Sequence, residues 1–310
     1  MMYIDKSLDR IIKAEQLHYS GLIDQLYERI DSKITDPKSV QLFDFFINPF
    51  LDIIINGSPS EIIKFSKEIN LIANEKFIDD IKSVFQYKGW FDQKKKTLYD
   101  AYDLAKNLEI PVCTYCNRMY TKTVFDEEGE KITRPTFDHW FAKDDHPLLA
   151  LSFYNLIPSC NICNSSVKGK KELSLGEHFH PYIDLGKEIN KQIVFSYYNK
   201  KLKSFGFNVK TPKDSKAEKT VKFFRLKEIY ETHEDEISDL LRLKDVYSDK
   251  YLQMLRKNIL KGTSISDKEI YRLAFGTHID DAQFDRRPLS KMKKDILNEL
   301  GILKYFKNEL

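Results

Sequence analysis

From residue 4 to about residue 108 the apolar side chains return at helical spacing, as Leu8, Ile11 and Ile12, then Leu22, Ile23, Leu26 and Ile30. This periodicity predicts a mainly helical N-terminal region. Pro37 and the run Ser58-Pro59-Ser60-Glu61 read as helix starts, Asn56-Gly57 and Lys88-Gly89 as stops, and a further helix over 97–108 ends before Pro111. Between residues 112 and 182 the pattern lapses and Cys, His, Asn, Pro and Gly crowd in, the composition of a site built on loops and short elements. Two strand-like runs follow at 193–198 and 205–209. A long amphipathic helix is then expected from 224 to about 257, marked by Leu226, Ile229, His233, Ile237, Leu240 and Leu241. Helices near 267–275 and 289–300 close the chain. The pattern as a whole predicts an α+β protein, mainly α: a helical region at 1–109, a central module at 110–183, and short strands followed by helices at 184–310.

Composition narrows the classes. The 310 residues, 42% of them hydrophobic, suffice for a sizeable core. Lys and Arg number 50 against 47 Asp and Glu, so no global positive field advertises nucleic acid and any basic surface must be local. The most apolar stretch, 45–55, is broken by Asn48, Pro49 and Asp52, too short for a membrane span, and no secretory leader pattern opens the chain. A cytoplasmic protein without a membrane partner is expected. In that reducing setting the four cysteines, paired as Cys113-Thr-Tyr-Cys116 and Cys160-Asn-Ile-Cys163, read as metal ligands before disulfides.

Four thiolates make a closed tetrahedral zinc site, which leaves no position for water or substrate, so the Zn2+ is structural. A redox Cys-x-x-Cys pair is the weaker reading, because neither pair sits in a thioredoxin-like βαβ pattern. Between and beyond the pairs lie Arg134-Pro-Thr-Phe-Asp138-His139-Trp140, Tyr154-Asn155-Leu-Ile-Pro-Ser-Cys160 and Cys163-Asn164-Ser-Ser-Val-Lys168-Gly169. Their order predicts a strand over 137–140, a loop, a strand over 155–158, and a short helix over 161–168 stopped by Gly169 in the left-handed cap position.

These motifs together resemble the HNH endonuclease superfamily, in the two-zinc-knuckle version also seen in phage junction-resolving endonucleases, where Asp-His follows the first knuckle and Cys-x-x-Cys-Asn closes the motif. The likeness covers about a quarter of the chain. It implies a zinc-stapled ββα-metal module that hydrolyses DNA, with Asp138 and Asn164 as ligands of a catalytic divalent metal, His139 as general base, and Asn155 fixing the His139 loop. It departs from the commonest pattern at Asn164, where His is usual, and by one extra residue before Lys168.

The chemistry also follows from the residue types. Phosphodiester hydrolysis needs an activated water, neutralised phosphorane-like charge and a stabilised leaving alkoxide. An imidazole can take the water's proton and one divalent ion can serve the other two needs. Carboxylate and amide oxygens suit Mg2+ or Mn2+ more than a second zinc. Because neighbouring strand residues face opposite ways, Asp138 and His139 can share a site only where the strand ends or bulges.

Lys168, Lys170 and Lys171, at the end of the short helix, are the basic residues expected to meet the phosphate backbone. His146, His178 and His180 are left less defined: His178-Phe-His180-Pro181 reads first as structural, with lining the cleft or adding a ligand as the alternative. The resemblance extends to HNH proteins of prokaryotic anti-phage systems, some of which work beside an ATPase partner. A homodimer through the 224–257 helix would let two sites cut two strands. The competing reading is a non-catalytic zinc-knuckle module that binds nucleic acid or protein, against which the intact Asp138, His139 and Asn164 set argues.

Overall fold

The computed structural model describes residues 2–94, 98–201, 204–246, 265–304 and 306. The N-terminal region is helical, as its periodicity requires: α1 (Asp9–Lys33), α2 (Pro37–Phe46), α3 (Leu51–Asn56), α4 (Pro59–Ile72), α5 (Glu75–Val84) and α6 (Ala101–Leu108). The expected punctuation is present. Asp36 caps α2 ahead of Pro37, and Ser58 and Glu61 form a reciprocal capping box at α4. α1 buries Ile11, Ala14, Leu22, Leu26 and Ile30, and it packs on α6, α5 and α3. Gly21 sits inside this helix because Tyr99 crosses there; a Cβ would lie 2.4 Å from the ring.

Strands are few and local. β1 (Val124–Phe125) pairs with β2 (Lys131–Thr133), a small hairpin the sequence pattern did not announce. β3 (Thr136–His139) pairs antiparallel with β4 (Leu156–Ser159), with Asp138 opposite Ile157 and His139 opposite Leu156. A helical segment, Ile162–Lys168, follows β4. After α7 (Gly186–Gln192) come the two strands predicted near 193 and 205, now β5 (Val194–Lys201) and β6 (Ser204–Lys210), as an antiparallel pair.

A shorter helix, α8 (Lys216–Phe223), precedes Arg225, whose φ of 50° is left-handed. The helix expected from 224 then runs from Leu226 to Val246 in three consecutive pieces, α9 (Leu226–Tyr230), a tighter 3-10 turn over Glu231–His233 and α10 (Glu234–Val246), with right-handed helical backbone at the junctions. The stretch expected to continue to 257, with its dimer face, lies outside the described residues. α11 (Asp267–Phe275), with a Ser266/Glu269 capping box and a Gly276 stop, and α12 (Ser290–Glu299) match the last two predicted helices. Smaller corrections fall in the centre. β3 stops before Trp140, Asn155 closes a tight turn ahead of β4, and Gly169 has φ 53° with ψ −126°, a positive-φ stop that is not the left-handed helical cap.

Most of the buried apolar residues form one cluster reaching from Ile4 to Phe306, beside a small second one of Met2, Val112 and Phe284, so the three sequence regions share a core. Long-range backbone ties reinforce this: Met2 N donates to the Thr114 carbonyl and Ile4 N to that of Pro181. Among the described residues no helix is long and apolar enough to cross a membrane.

One core residue gives the fold a pH dependence. His18 is fully buried on α1; Nε2 donates to the Leu151 carbonyl at 2.7 Å, so Nδ1 is left to accept from the Tyr99 hydroxyl at 3.2 Å. Burial pushes its pKa from 6.5 down to about 4. The unfolded chain therefore binds a proton that the folded chain refuses, and stability is lost as pH falls from about 6.5 toward 4, by on the order of 3 kcal/mol. Denaturant unfolding at pH 7 and pH 4.5 should show this loss, and His18→Gln, which keeps a donor toward Leu151, should remove much of it.

Candidate metal centre and adjoining cavity

The two Cys-x-x-Cys turns close on each other. Cys113 and Cys116 stand in the loop after α6, Cys160 at the end of β4 and Cys163 on the helical segment that follows. All four sulfurs lie within 4.8 Å of one another and all four residues are buried. Tetrahedral zinc with Zn–S near 2.3 Å needs sulfurs about 3.8 Å apart, so the cluster can take a metal such as zinc. Its electrostatics ask for one. The neighbouring Cys113, Cys116 and Cys163 side chains pull the Cys160 thiol toward the thiolate, whereas burial raises the Cys113 thiol. A dication would relieve that conflict by deprotonating the set. No disulfide is formed.

Asn117, immediately after Cys116, has a left-handed φ of 54°, a conformation Asn tolerates better than most residues. Its side chain donates to the Phe284 carbonyl at 2.7 Å and accepts from Lys291 N at 3.2 Å, while its own carbonyl accepts from Leu289 N. The first knuckle is thus clamped to the C-terminal helices. Tyr115, inside the knuckle, is buried and stacks on Phe224 at 4.2 Å. Its hydroxyl donates to Asp138 Oδ2 at 2.5 Å.

Asp138, His139, Asn164 and Lys168 line one cavity of about 420 Å³ with Lys143, Asp144 and Lys170 on its rim. Asp138 is 2% exposed, and burial raises its pKa against the opposing pull of the Lys168 ammonium and the Tyr115 hydroxyl. Lys168 Nζ lies 3.0 Å from Asp138 Oδ1 and 2.6 Å from the His139 carbonyl. The end of β3 at His139 is what allows neighbours of opposite facing to share this space, and the β3–β4 register runs through both without a bulge. Asn164 lines the same cavity and donates its amide nitrogen to the Phe137 carbonyl at 3.4 Å.

His139 Nε2 lies 2.9 Å from the Ala150 carbonyl, which can only accept, so the proton sits on Nε2 and the lone pair on Nδ1. Burial pushes the ring's pKa down from 6.5 to about 3, well below the near-neutral value its residue type suggests, and Tyr87 packs edge-on against it at 4.6 Å. The imidazole is neutral at physiological pH. Asn155 secures the loop that carries Ala150: it accepts from Phe141 N at 2.7 Å and donates to the carbonyls of Phe141 and Leu149 at 3.1 and 2.9 Å.

The structure therefore brings together Asp138, His139, Asn164 and Lys168, with Asn155 supporting them from behind. It separates Lys168 from Lys170 and Lys171. Lys168 is 3% exposed and turned inward to Asp138, whereas the other two are exposed. His146 bonds Ser66 Oγ, His178 accepts from Ser174 N, and buried His180 accepts from Tyr182 N; none of the three lines the cavity. Sequence reasoning missed Tyr115 and Tyr87. Tyr115 stands within the knuckle motif, which is a local hint, but nothing in the chain's order ties Tyr87 to His139.

Two outcomes test this arrangement. Purified protein should hold one tightly bound zinc by elemental analysis, and Cys116→Ser or Cys160→Ser should lose it and unfold the central module, since metal binding in such sites is folding free energy. Asn155→Ala, which strands the Phe141 amide and carbonyl and removes one of the two donors to the Leu149 carbonyl, should cost on the order of 3 kcal/mol in chemical denaturation with zinc retained. Compared with known proteins, the chain matches no family model, no curated protein and no solved structure.

Proposed function

We propose that the protein is a metal-dependent endonuclease of the HNH type that hydrolyses DNA phosphodiester bonds. The observation that carries this is the convergence of Asp138, His139 and Asn164 on one cavity beside a four-cysteine cluster, with the His139 tautomer fixed by the Ala150 carbonyl. A pure zinc scaffold has no use for a buried imidazole held with Nδ1 as its proton acceptor.

The donor set suits a hard dication: Asp138 and Asn164 line one cavity, and a carboxylate and an amide oxygen are hard ligands. When bound there, Mg2+ or Mn2+ supplies charge neutralisation at the phosphate and at the departing oxygen. The chain's own residues do the rest. His139 Nδ1 takes the proton of a water as its oxygen attacks phosphorus; the bond to the leaving alkoxide breaks, and that oxygen takes a proton from solvent. Lys168 sets a fixed positive charge beside Asp138, where the anionic phosphate gathers negative charge. Asn155 acts on the reaction through the loop that aligns His139, as a positioning residue.

The test is His139→Ala. It should cut plasmid or duplex DNA about two to four orders of magnitude more slowly than the parent with magnesium or manganese, yet keep zinc, fold and DNA affinity. A variant as fast as the parent removes His139 from the chemistry, and undiminished cutting in EDTA removes the hard metal.

A further inference from the structure

A second, smaller cavity of about 160 Å³ adjoins the one just described, and its wall comes mainly from the N-terminal region: Lys82, Tyr87 and Lys88, facing Lys143 and Ala150. The two cavities share Lys143 and Asp144. His139 stands at their junction, lining the larger one while its ring meets Tyr87 and its Nε2 meets the Ala150 carbonyl. We infer that the two form one track for a nucleic-acid strand, in which the N-terminal helical region grips phosphates next to the scissile one through Lys82 and Lys88.

Charge and backbone geometry support the assignment. The smaller cavity offers three lysines against one carboxylate, Asp144, which is already paired with Lys143 at 2.9 Å. Among the described residues Lys82 has one ion pair, an exposed contact to Asp79 at 3.3 Å, a pairing too weak to withhold it from a phosphate. Lys88 makes no ion pair among the described residues. It stands at the tip of a tight turn (Lys88 φ −73°, ψ 129°; Gly89 φ 80°, ψ −4°), the type II geometry in which glycine takes the positive-φ position. The turn is braced by Gly89 N donating to Asp92 at 2.7 Å and by Arg29 stacked on Trp90 at 4.1 Å. Lys88 is therefore presented outward from a rigid backbone, which lowers the ordering cost of a phosphate contact.

The track rests on the nuclease reading, and one experiment separates the two. Binding of a short duplex DNA is measured over a salt series with calcium in place of the catalytic metal, for the parent, Lys82→Gln with Lys88→Gln, and a control pair, Lys213→Gln with Lys227→Gln, that lines neither cavity. The double variant should melt like the parent, bind more weakly, and show a log–log salt slope smaller by about two, one counterion for each lost phosphate contact. The control pair should keep the parent slope. If the parent binds and cuts DNA while the Lys82 and Lys88 variant keeps the parent slope, the track is wrong and the nuclease reading stands. A parent that neither binds nor cuts any nucleic acid overturns both.

Discussion

Four buried thiols within 4.8 Å of one another are the constraint on which the rest of the centre depends. Without a cation they are poor company: burial disfavours every thiolate, and each sulfur that keeps its proton crowds the others. With one, the two Cys-x-x-Cys turns become a fixed frame, and the residues inside or just after those turns do the positioning. Tyr115 lies between the first pair and holds Asp138; Asn117 follows it and holds the C-terminal helices; Asn164 follows the second pair and enters the cavity. A few peptide units separate metal ligand from functional side chain in each case, so little slack accumulates between them.

The cavity pairs two opposed electrostatic demands. Asp138 is buried yet given a cationic partner in Lys168 and a neutral donor in Tyr115, so a carboxylate can be kept there without bulk water. His139, one residue on, receives the opposite treatment: a carbonyl takes its proton-bearing nitrogen, aromatic packing covers it, and the ring stays uncharged. One side chain is arranged to carry charge and its neighbour to refuse it, and the end of the strand lets both open on the same space.

Much of this was legible in the sequence. Helical periodicity placed the N-terminal helices and their caps, alternation placed β5 and β6, and the spacing of cysteines placed the cluster, because each is a local rule acting on residues close in sequence. The long helix starts at Leu226, after a left-handed Arg225, and tightens to a 3-10 turn over Glu231–His233, a local change of pitch that apolar periodicity does not register. Lys168 was expected on the surface because a lysine near a helix end is usually solvated; the Asp138 carboxylate, thirty residues away in sequence, and the His139 carbonyl make its burial tolerable. Tyr87 was invisible on the same grounds, since its partner ring belongs to another part of the fold.

The Asn117 clamp has a consequence for the order of events as the chain is made. Its carbonyl and side chain are satisfied by Phe284, Leu289 and Lys291, and the contact to Phe284 spans 167 residues. A polypeptide synthesised from its N-terminus emits both cysteine pairs long before those partners exist. Any metal captured at that stage sits in a knuckle whose outer side is still open, and the clamp shuts only once residues 284–291 have left the ribosome. A product truncated before residue 284 would thus carry every ligand sulfur and the cavity's Asp138, His139 and Asn164, but lack the brace that holds the first knuckle in place.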